Sequence, residues 1–291
     1  MTGLSLPGGA EAGLARRPLA RPARLPYHTR RFAHGEGPAT GELLHVSGIT
    51  KRFGGVEALA GCTLSVGEGS ITGLIGPNGA GKTTLFNVIS GLTRADGGQI
   101  QLGAERLDRL SAHAIAQRGI ARTFQIPRPL GRMTVLENVL VYAHAQPGEA
   151  LARVFTAPAR VRAAEHRARE RASAILQSVD LAPLAGAPAE TLSGGQKKLL
   201  ELARALMSDP RLILLDEPGA GVNPTLMRSL TEAIRALRAS GRTFLLIEHD
   251  MDLVTELCDP VIVMAQGRTL MEGPFAEVRR DPRVLEAYLG T

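Results

Sequence analysis

The segment from residue 76 to residue 84 combines glycines, one lysine and two hydroxyl side chains in an order typical of phosphate-binding loops. It fits the Walker A pattern through Gly76, Asn78, Gly79, Gly81, Lys82, Thr83 and Thr84. Because glycine lacks a side chain, successive backbone N–H groups can converge on phosphate oxygens. Lys82 then supplies a compact positive charge to the β- and γ-phosphates, and Thr83 offers a hydroxyl to Mg²⁺.

Lysine is rare in this chain, and its rarity strengthens the interpretation of the loop. Of the 34 basic residues, four are lysines: Lys51, Lys82, Lys197 and Lys198. In a chain that otherwise uses arginine, a lysine within this loop indicates a specific role.

Two acidic residues, Asp216 and Glu217, follow the apolar run 212–215. In open α/β sheets the carboxyl ends of buried strands are where ligands bind. Asp216 is therefore predicted to hold the metal directly or through water, and Glu217 to act as general base on a water in line with the γ-phosphate. His249 follows the apolar run 244–247 closely, so we expect it at the same edge, hydrogen-bonded to the γ-phosphate.

The elements that must position these side chains are predicted to form an α/β fold. Apolar runs at 70–75, 212–215, 243–247 and 261–264 predict buried strands, and helical patterns such as 82–90, 196–207 and 226–237 lie between them. This alternation favours a mostly parallel sheet. Loosely alternating segments at 43–46 and 56–64, with Gly54 and Gly55 as the turn, predict two antiparallel strands.

The segment from about 126 to 192 differs from the rest because it is helical in pattern and rich in charge. We interpret it as an inserted helical subdomain; one more amphipathic layer helix is the alternative.

Charge and composition narrow the classes of function. Six arginines and two glutamates fall within residues 1–40, so this segment carries most of the net charge of +6. We interpret it as a disordered basic extension, or as residues upstream of the natural start. The remaining 251 residues are nearly neutral, which does not indicate nucleic-acid binding.

No apolar run approaches the roughly 20 residues of a membrane-spanning helix. Cys62 and Cys258 form no metal or disulfide pattern, which favours a reducing, cytosolic compartment.

Residues 192–196 read Leu-Ser-Gly-Gly-Gln, and with them the chain resembles the ATP-binding subunits of ABC transporters. The Walker A segment, Gln125, this signature motif, the acidic pair and His249 occur in the order found in that family. The resemblance implies ATP and Mg²⁺ as cofactors. It also implies a P-loop NTPase core with a mostly parallel sheet, an antiparallel β subdomain and an inserted helical subdomain, all within residues 41–291.

The resemblance implies further residue roles. The signature residues, at a helix start suited to anions, would bind the γ-phosphate held by the opposite subunit: Ser193, Gly194, Gly195 and Gln196. Phe53 would stack on adenine, although a core phenylalanine is the alternative. Gln125 would touch the metal and the attacking water, and 126–130 would face a membrane partner. Residues 218–224 would cross the dimer interface, where the family often has Asp and this chain has Asn223.

Within the family the chain is most similar to the subunits of branched-chain amino acid importers and their amide or urea relatives. The segments that carry this similarity are 122–125, 133–138 and 286–290. The implied partners are transmembrane permease subunits, a second ATP-binding subunit that is identical or related, and indirectly an extracytoplasmic solute-binding protein. The implied location is the cytoplasmic face of the inner or plasma membrane.

Two alternatives stay open from the sequence. One is the ATPase subunit of a lipopolysaccharide-type exporter, which shares several of these segments. The other is a soluble ABC ATPase acting on ribosomes or DNA, although those proteins usually carry two cassettes or a coiled-coil insertion, and this chain shows neither. The transported solute is not readable from the sequence.

Overall fold

The computed structural model describes residues 41–123, 128–143 and 155–289, and the strands within them form two sheets. The smaller sheet is antiparallel, with the spatial order β2-β1-β4-β5. Its strands are β1 (Glu42–Phe53), β2 (Val56–Gly67), β4 (Gly97–Leu102) and β5 (Glu105–Arg106). The predicted hairpin at its start is confirmed, because Phe53 pairs with Val56 around Gly54 and Gly55.

The larger sheet has the order β10-β9-β3-β8-β7-β6 and is parallel except for β10 at its edge. Its strands are β3 (Ile71–Ile75), β6 (Ile120–Arg122), β7 (Leu212–Asp216), β8 (Thr243–Ile247), β9 (Val261–Ala265) and β10 (Arg268–Gly273). Every residue of β3, β7 and β8 is buried, as expected for parallel strands covered on both faces. The predicted α/β fold with a mostly parallel sheet is confirmed.

Helices connect and cover these strands. The α-helices within the described residues are α1 (Lys82–Ile89), α2 (Ala112–Gln117), α3 (Val135–Leu140), α4 (Pro158–Ser178), α5 (Gly194–Met207), α6 (Pro224–Ala239), α7 (Met251–Leu257), α8 (Phe275–Val278) and α9 (Pro282–Leu289). In the part of the chain that the structure describes, no helix is both long and apolar enough to cross a lipid bilayer.

The parallel sheet separates two hydrophobic cores. Along β7, Leu212 and Leu214 face the core shared with the antiparallel sheet and α1, whereas Ile213 and Leu215 face the core shared with α3 to α7. Because side chains alternate between the faces of a strand, each apolar run contributes to both cores. This double burial explains why these strands appear in the sequence as uninterrupted apolar runs.

Helices α3, α4 and α5 pack on one another over the second core. Most of α4 is polar, and it buries Val161, Ala172, Ile175 and Leu176. The described residues of the predicted helical insert are therefore largely helical, while its boundaries stay a prediction. Residues 1–40, interpreted from the sequence as an extension, lie outside the described residues.

Candidate functional site

The predicted phosphate loop connects β3 to α1, and its shape requires glycine. Gly76, Gly79 and Gly81 have φ values of +150°, +79° and +97°. A Cβ atom at Gly76 would lie 2.1 Å from the carbonyl oxygen of Met264, and one at Gly81 would lie 2.5 Å from that of Ala58. The loop therefore packs its backbone directly against β9 and β2, which no larger residue at these two positions allows.

Helix α1 begins where the loop ends. Gly81 is its N-cap, so no side chain covers the N–H groups of the first turn, which includes Thr83 and Thr84. The N-terminus of a helix with free amides attracts anions. The loop and the helix together form a cradle suited to phosphate groups.

The side chain of Lys82 is buried within this cradle. Its ammonium donates to the carbonyl oxygens of Gly76, at 2.6 Å, and Pro77, at 2.9 Å. Burial lowers the pKa of Lys82, and the carboxylates of Glu217 and Asp216 oppose that shift. Lys82 therefore lies within the electrostatic reach of both acidic residues that the sequence assigned to the site.

Asp216 ends β7, and its carboxylate is held by an arginine from the neighbouring strand. Arg122 Nη2 lies 2.8 Å from Asp216 Oδ2, and Arg122 Nη1 donates to Asn87 Oδ1 at 2.6 Å. Both charged side chains are largely buried, where an unpaired charge would be costly. Arg122 thus fixes one oxygen of Asp216 and links β6, β7 and α1. Sequence reasoning used Arg122 only as a mark of resemblance, because nothing local indicates this partner.

Glu217 and His249 meet at the carboxyl end of the sheet, as the sequence predicted. His249 Nε2 lies 3.0 Å from Glu217 Oε1, and both side chains are partly exposed. The backbone of Glu217 has φ +48°, a left-handed conformation that costs a non-glycine residue about 1–2 kcal/mol. Its N–H donates to the carbonyl of Ile247 at 2.9 Å, which ties it to β8. The geometry suits a carboxylate that accepts a proton next to bound phosphate; the roles themselves stay predictions.

Glu248 is a site residue that sequence reasoning missed. Its carboxylate is buried and accepts the backbone N–H groups of Gly219 at 2.6 Å, His249 at 3.0 Å and Asp250 at 3.4 Å. A Cβ atom at Gly219 would lie 2.8 Å from Glu248 Oε1, so this contact requires glycine. Glu248 therefore ties the loop after Glu217 to the loop that carries His249. The signal was an acidic residue directly after the apolar run 244–247.

The signature residues form the start of α5. Ser193 is the N-cap and pairs with Gln196 in a capping box, with Ser193 N–H to Gln196 Oε1 at 2.9 Å and Gln196 N–H to Ser193 Oγ at 3.3 Å. Ser193 and Gly194 are exposed, whereas a Cβ atom at buried Gly195 would lie 2.6 Å from Leu226 Cδ1. Among the described residues, no hydrogen bond or ion pair joins this segment to the phosphate loop.

Phe53 ends β1 beside the hairpin turn, and half of its surface is exposed. The interpretation of Phe53 as a core residue is therefore wrong. The ammonium of Lys51 lies 5.4 Å from the ring centroid and donates to Asp96 Oδ1 at 2.7 Å. Phe53 thus offers an accessible aromatic surface held beside an ion pair, as base stacking needs.

Gln125, which the resemblance assigns to the metal and the attacking water, lies outside the described residues.

Asn223, which departs from the family pattern, caps helix α6. Its Oδ1 accepts the N–H of Leu226 at 2.9 Å, and Pro224 follows at the first helical position. Asparagine is among the preferred N-cap residues, so this position has a local structural reason for its residue type.

Comparison with known proteins finds similarity to ABC transporter ATP-binding proteins over most of the chain. A family model described as ABC transporter matches residues 59–220, and one described as branched-chain amino acid ATP-binding cassette transporter matches residues 268–291. The high-affinity branched-chain amino acid transport ATP-binding protein BraF of Pseudomonas aeruginosa is 44% identical over 85% of this chain and 98% of its own length. The probable branched-chain amino acid transport ATP-binding protein LivG of Archaeoglobus fulgidus is 42% identical over 86% and 96%.

Solved structures agree with this result. The crystal structure of the ADP conformation of MJ1267, an ATP-binding cassette of an ABC transporter, has a TM-score of 0.74 and 40% sequence identity. The match covers 87% of this chain and all of that one.

Proposed function

Because this chain belongs to the family of ABC transporter ATP-binding subunits and is an ATPase, we propose that it powers the import of branched-chain amino acids or related amides through membrane permeases. The observation that carries the choice of solute is the match of residues 268–291 to the model of branched-chain amino acid transporters. The identities above 40% to BraF and LivG over nearly their full lengths support the same choice.

We propose that ATP binds with its phosphates in the cradle of Gly76, Gly79, Gly81 and Lys82, and with its adenine on Phe53. The backbone of the loop and the helix terminus contribute N–H donors, with Asn78, Thr83 and Thr84 completing the loop. The buried Lys82 ammonium exchanges its contacts with Gly76 and Pro77 for contacts with the β- and γ-phosphates.

The residues present fit a magnesium ion. The hydroxyl of Thr83 and the carboxylate of Asp216 are hard oxygen ligands, and Gln125 would add an amide oxygen. Mg²⁺ usually keeps several waters and binds phosphate oxygens, so it needs few protein ligands. When bound, it neutralises charge on the phosphates. Arg122 holds Asp216 Oδ2 and so orients the carboxylate that would help to hold the ion.

We propose that Glu217 is the general base of hydrolysis. Its carboxylate takes a proton from water as the water oxygen bonds to the γ-phosphorus and the bond to the bridging oxygen breaks, which yields ADP and phosphate. His249, 3.0 Å from Glu217 Oε1, holds this carboxylate in place and reaches the γ-phosphate.

A second ATP-binding subunit, identical or related, would complete the site. The exposed residues Ser193 and Gly194 would bind the γ-phosphate held by the opposite subunit, together with Gly195 and Gln196. Residues 218–224 would lie at the interface, where Asn223 keeps a polar side chain.

The remaining partners follow from the proposed import. Residues 126–130, of which Leu130 is exposed, would face the permeases at the cytoplasmic side of the membrane, with a solute-binding protein on the other side. We propose no nucleic-acid partner.

Uptake by the assembled transporter tests this function. The chain, its permease subunits and its ATP-binding partner are reconstituted in vesicles, and accumulation of labelled leucine is compared with that of urea and a short amide. ATP-dependent accumulation of leucine or of an amide is expected, and it is lost with Glu217→Gln. Hydrolysis without transport of any of these solutes, or outward movement of lipopolysaccharide, would favour the exporter alternative. Failure to associate with permeases would favour a soluble ATPase.

A further inference from the structure

Two adjacent lysines on helix α5 differ in their surroundings. The ammonium of Lys198 donates to the backbone carbonyl oxygen of Glu217 at 2.8 Å, across 19 positions of sequence. Burial lowers the pKa of Lys198, and the negative charges of the Glu248 and Glu217 carboxylates oppose that shift. Lys197 is also half-buried, but its side chain makes no hydrogen bond or ion pair with the described residues.

The residue that Lys198 contacts needs support. Glu217 has φ +48°, and a non-glycine residue stays in the left-handed region only when its surroundings hold it there. Its N–H is tied to Ile247, its side chain to His249, and its carbonyl to Lys198 and to the N–H of Ala220 at 3.2 Å. The donor in the bond from Lys198 is a positively charged ammonium on α5, the helix that begins at the signature motif. Hydrogen bonds with a charged donor are stronger than those between neutral groups.

We propose that Lys198 is a positioning residue for ATP hydrolysis: it holds the backbone of Glu217 so that the carboxylate faces the attacking water. This inference rests on the proposed role of Glu217 as general base. Lys198 acts through Glu217 and makes no contact with nucleotide.

The position of Lys198 on its helix adds a second consequence. Ser193, which caps the same helix, is proposed to contact the γ-phosphate of the opposite subunit, and five residues of helix span about 7.5 Å. A helix is stiff over this length. Ser193 and Lys198 therefore belong to one stiff segment, which connects the residue proposed to contact the opposite subunit's nucleotide with the base of this subunit's own site.

Lysine suits this position better than arginine. The acceptor is a single backbone carbonyl oxygen in a half-buried site, where a compact ammonium fits and the planar fork of a guanidinium has no bidentate partner. The contact is therefore one that arginine, the usual basic residue of this chain, would make less well.

The test compares Lys198→Met with Lys197→Met, which removes the same charge one position away, and with Lys198→Arg. All are measured in the assembly with the ATP-binding partner, and thermal melting confirms that each variant is folded. For Lys198→Met we expect kcat to fall about 10- to 100-fold, the effect of losing one charge-assisted hydrogen bond. ATP affinity should stay within about twofold, because the phosphate cradle is untouched.

The controls separate the possible failures. Lys197→Met should keep wild-type kcat, and Lys198→Arg should recover part of what Lys198→Met loses. An unchanged kcat in Lys198→Met, equal losses in both methionine variants, or a loss of ATP affinity that matches the loss of kcat would each overturn the proposal. Glu217→Gln is measured in parallel: if it hydrolyses ATP normally, the proposed base is wrong, whatever Lys198→Met shows.

Discussion

The phosphate loop and the carboxylate edge of the same sheet are built in different ways. The loop is one continuous segment, and its shape is imposed by glycines whose backbone packs on Met264 and Ala58. The edge is assembled from β6, β7, β8 and α5, which contribute side chains far apart in sequence, such as Arg122, Glu217 and Lys198. We therefore expect substitutions in the loop to change its shape and its affinity for ATP. We expect substitutions at the carboxylate edge to change the rate of hydrolysis.

The largest effect is expected at the edge. Glu217→Gln keeps the shape and hydrogen-bonding capacity of the side chain but removes the base, which typically costs about 10²–10⁴ in kcat. ATP should still bind, because Lys82 and the loop are unchanged. Rapid-quench hydrolysis and calorimetric ATP binding measure the two effects separately. With nucleotide and the ATP-binding partner subunit present, size-exclusion chromatography should show a dimer that persists in the variant and decays in the wild type. Wild-type hydrolysis by this variant would remove the distinction between the two regions.

Lys82→Ala probes the loop by its charge. The ammonium lost is the compact cation proposed for the β- and γ-phosphates, so the dissociation constant for ATP with Mg²⁺ should rise about 10- to 100-fold. Calorimetry on the folded variant measures it, and Lys197→Met is the control for a lysine elsewhere. An unchanged affinity would rule out the cradle as the phosphate site.

Gly76→Ala probes the loop by its shape and has a matched control in Gly79→Ala. Both positions have positive φ, but a Cβ atom meets the carbonyl of Met264 at 2.1 Å at Gly76 and nothing within 4 Å at Gly79. Without nucleotide, Gly76→Ala should lower the free energy of unfolding by about 1–3 kcal/mol more than Gly79→Ala. Urea denaturation measures both. Equal losses would mean that only the backbone conformation, and not the contact with β9, requires glycine.

The smallest effect is expected outside both regions. Residues 1–40 contain none of the motifs, and the match to BraF covers 85% of this chain. Deletion of residues 1–40 should leave kcat within about twofold, because the proposed site residues all lie beyond this segment. Steady-state hydrolysis measures this. A folded deletion variant without turnover would indicate that the basic segment contributes, for example at an anionic membrane surface.

What the sequence could predict follows the same division. The loop and the ends of β7 and β8 were predictable, because glycine spacing and uninterrupted apolar runs are local signals. The partner of Asp216, the three amides bound by Glu248 and the contact of Lys198 were not, because each joins segments that only the fold brings together.

Strands with mixed exposure were also missed. β4 buries only Ile100 and Leu102, and no residue of β10 is buried, so neither shows an apolar run. Phe53 left two interpretations open because its environment depends on where β1 ends. The structure places that end at the exposed hairpin turn, and the ring is therefore accessible.

The order of strands has a consequence for how the protein is made. β3, which leads into the phosphate loop, lies between β8 and β9, and the N–H of Gly69 just before it bonds to Thr243, 174 positions later. A ribosome releases the amino-terminal part first, so β3 emerges long before either neighbour in the sheet exists. Such long-range pairing forms slowly. In the nascent chain the phosphate-binding segment is therefore present before β8 and β9, the strands beside it in the sheet. We expect it to bind nucleotide only after residues near 265 have left the exit tunnel.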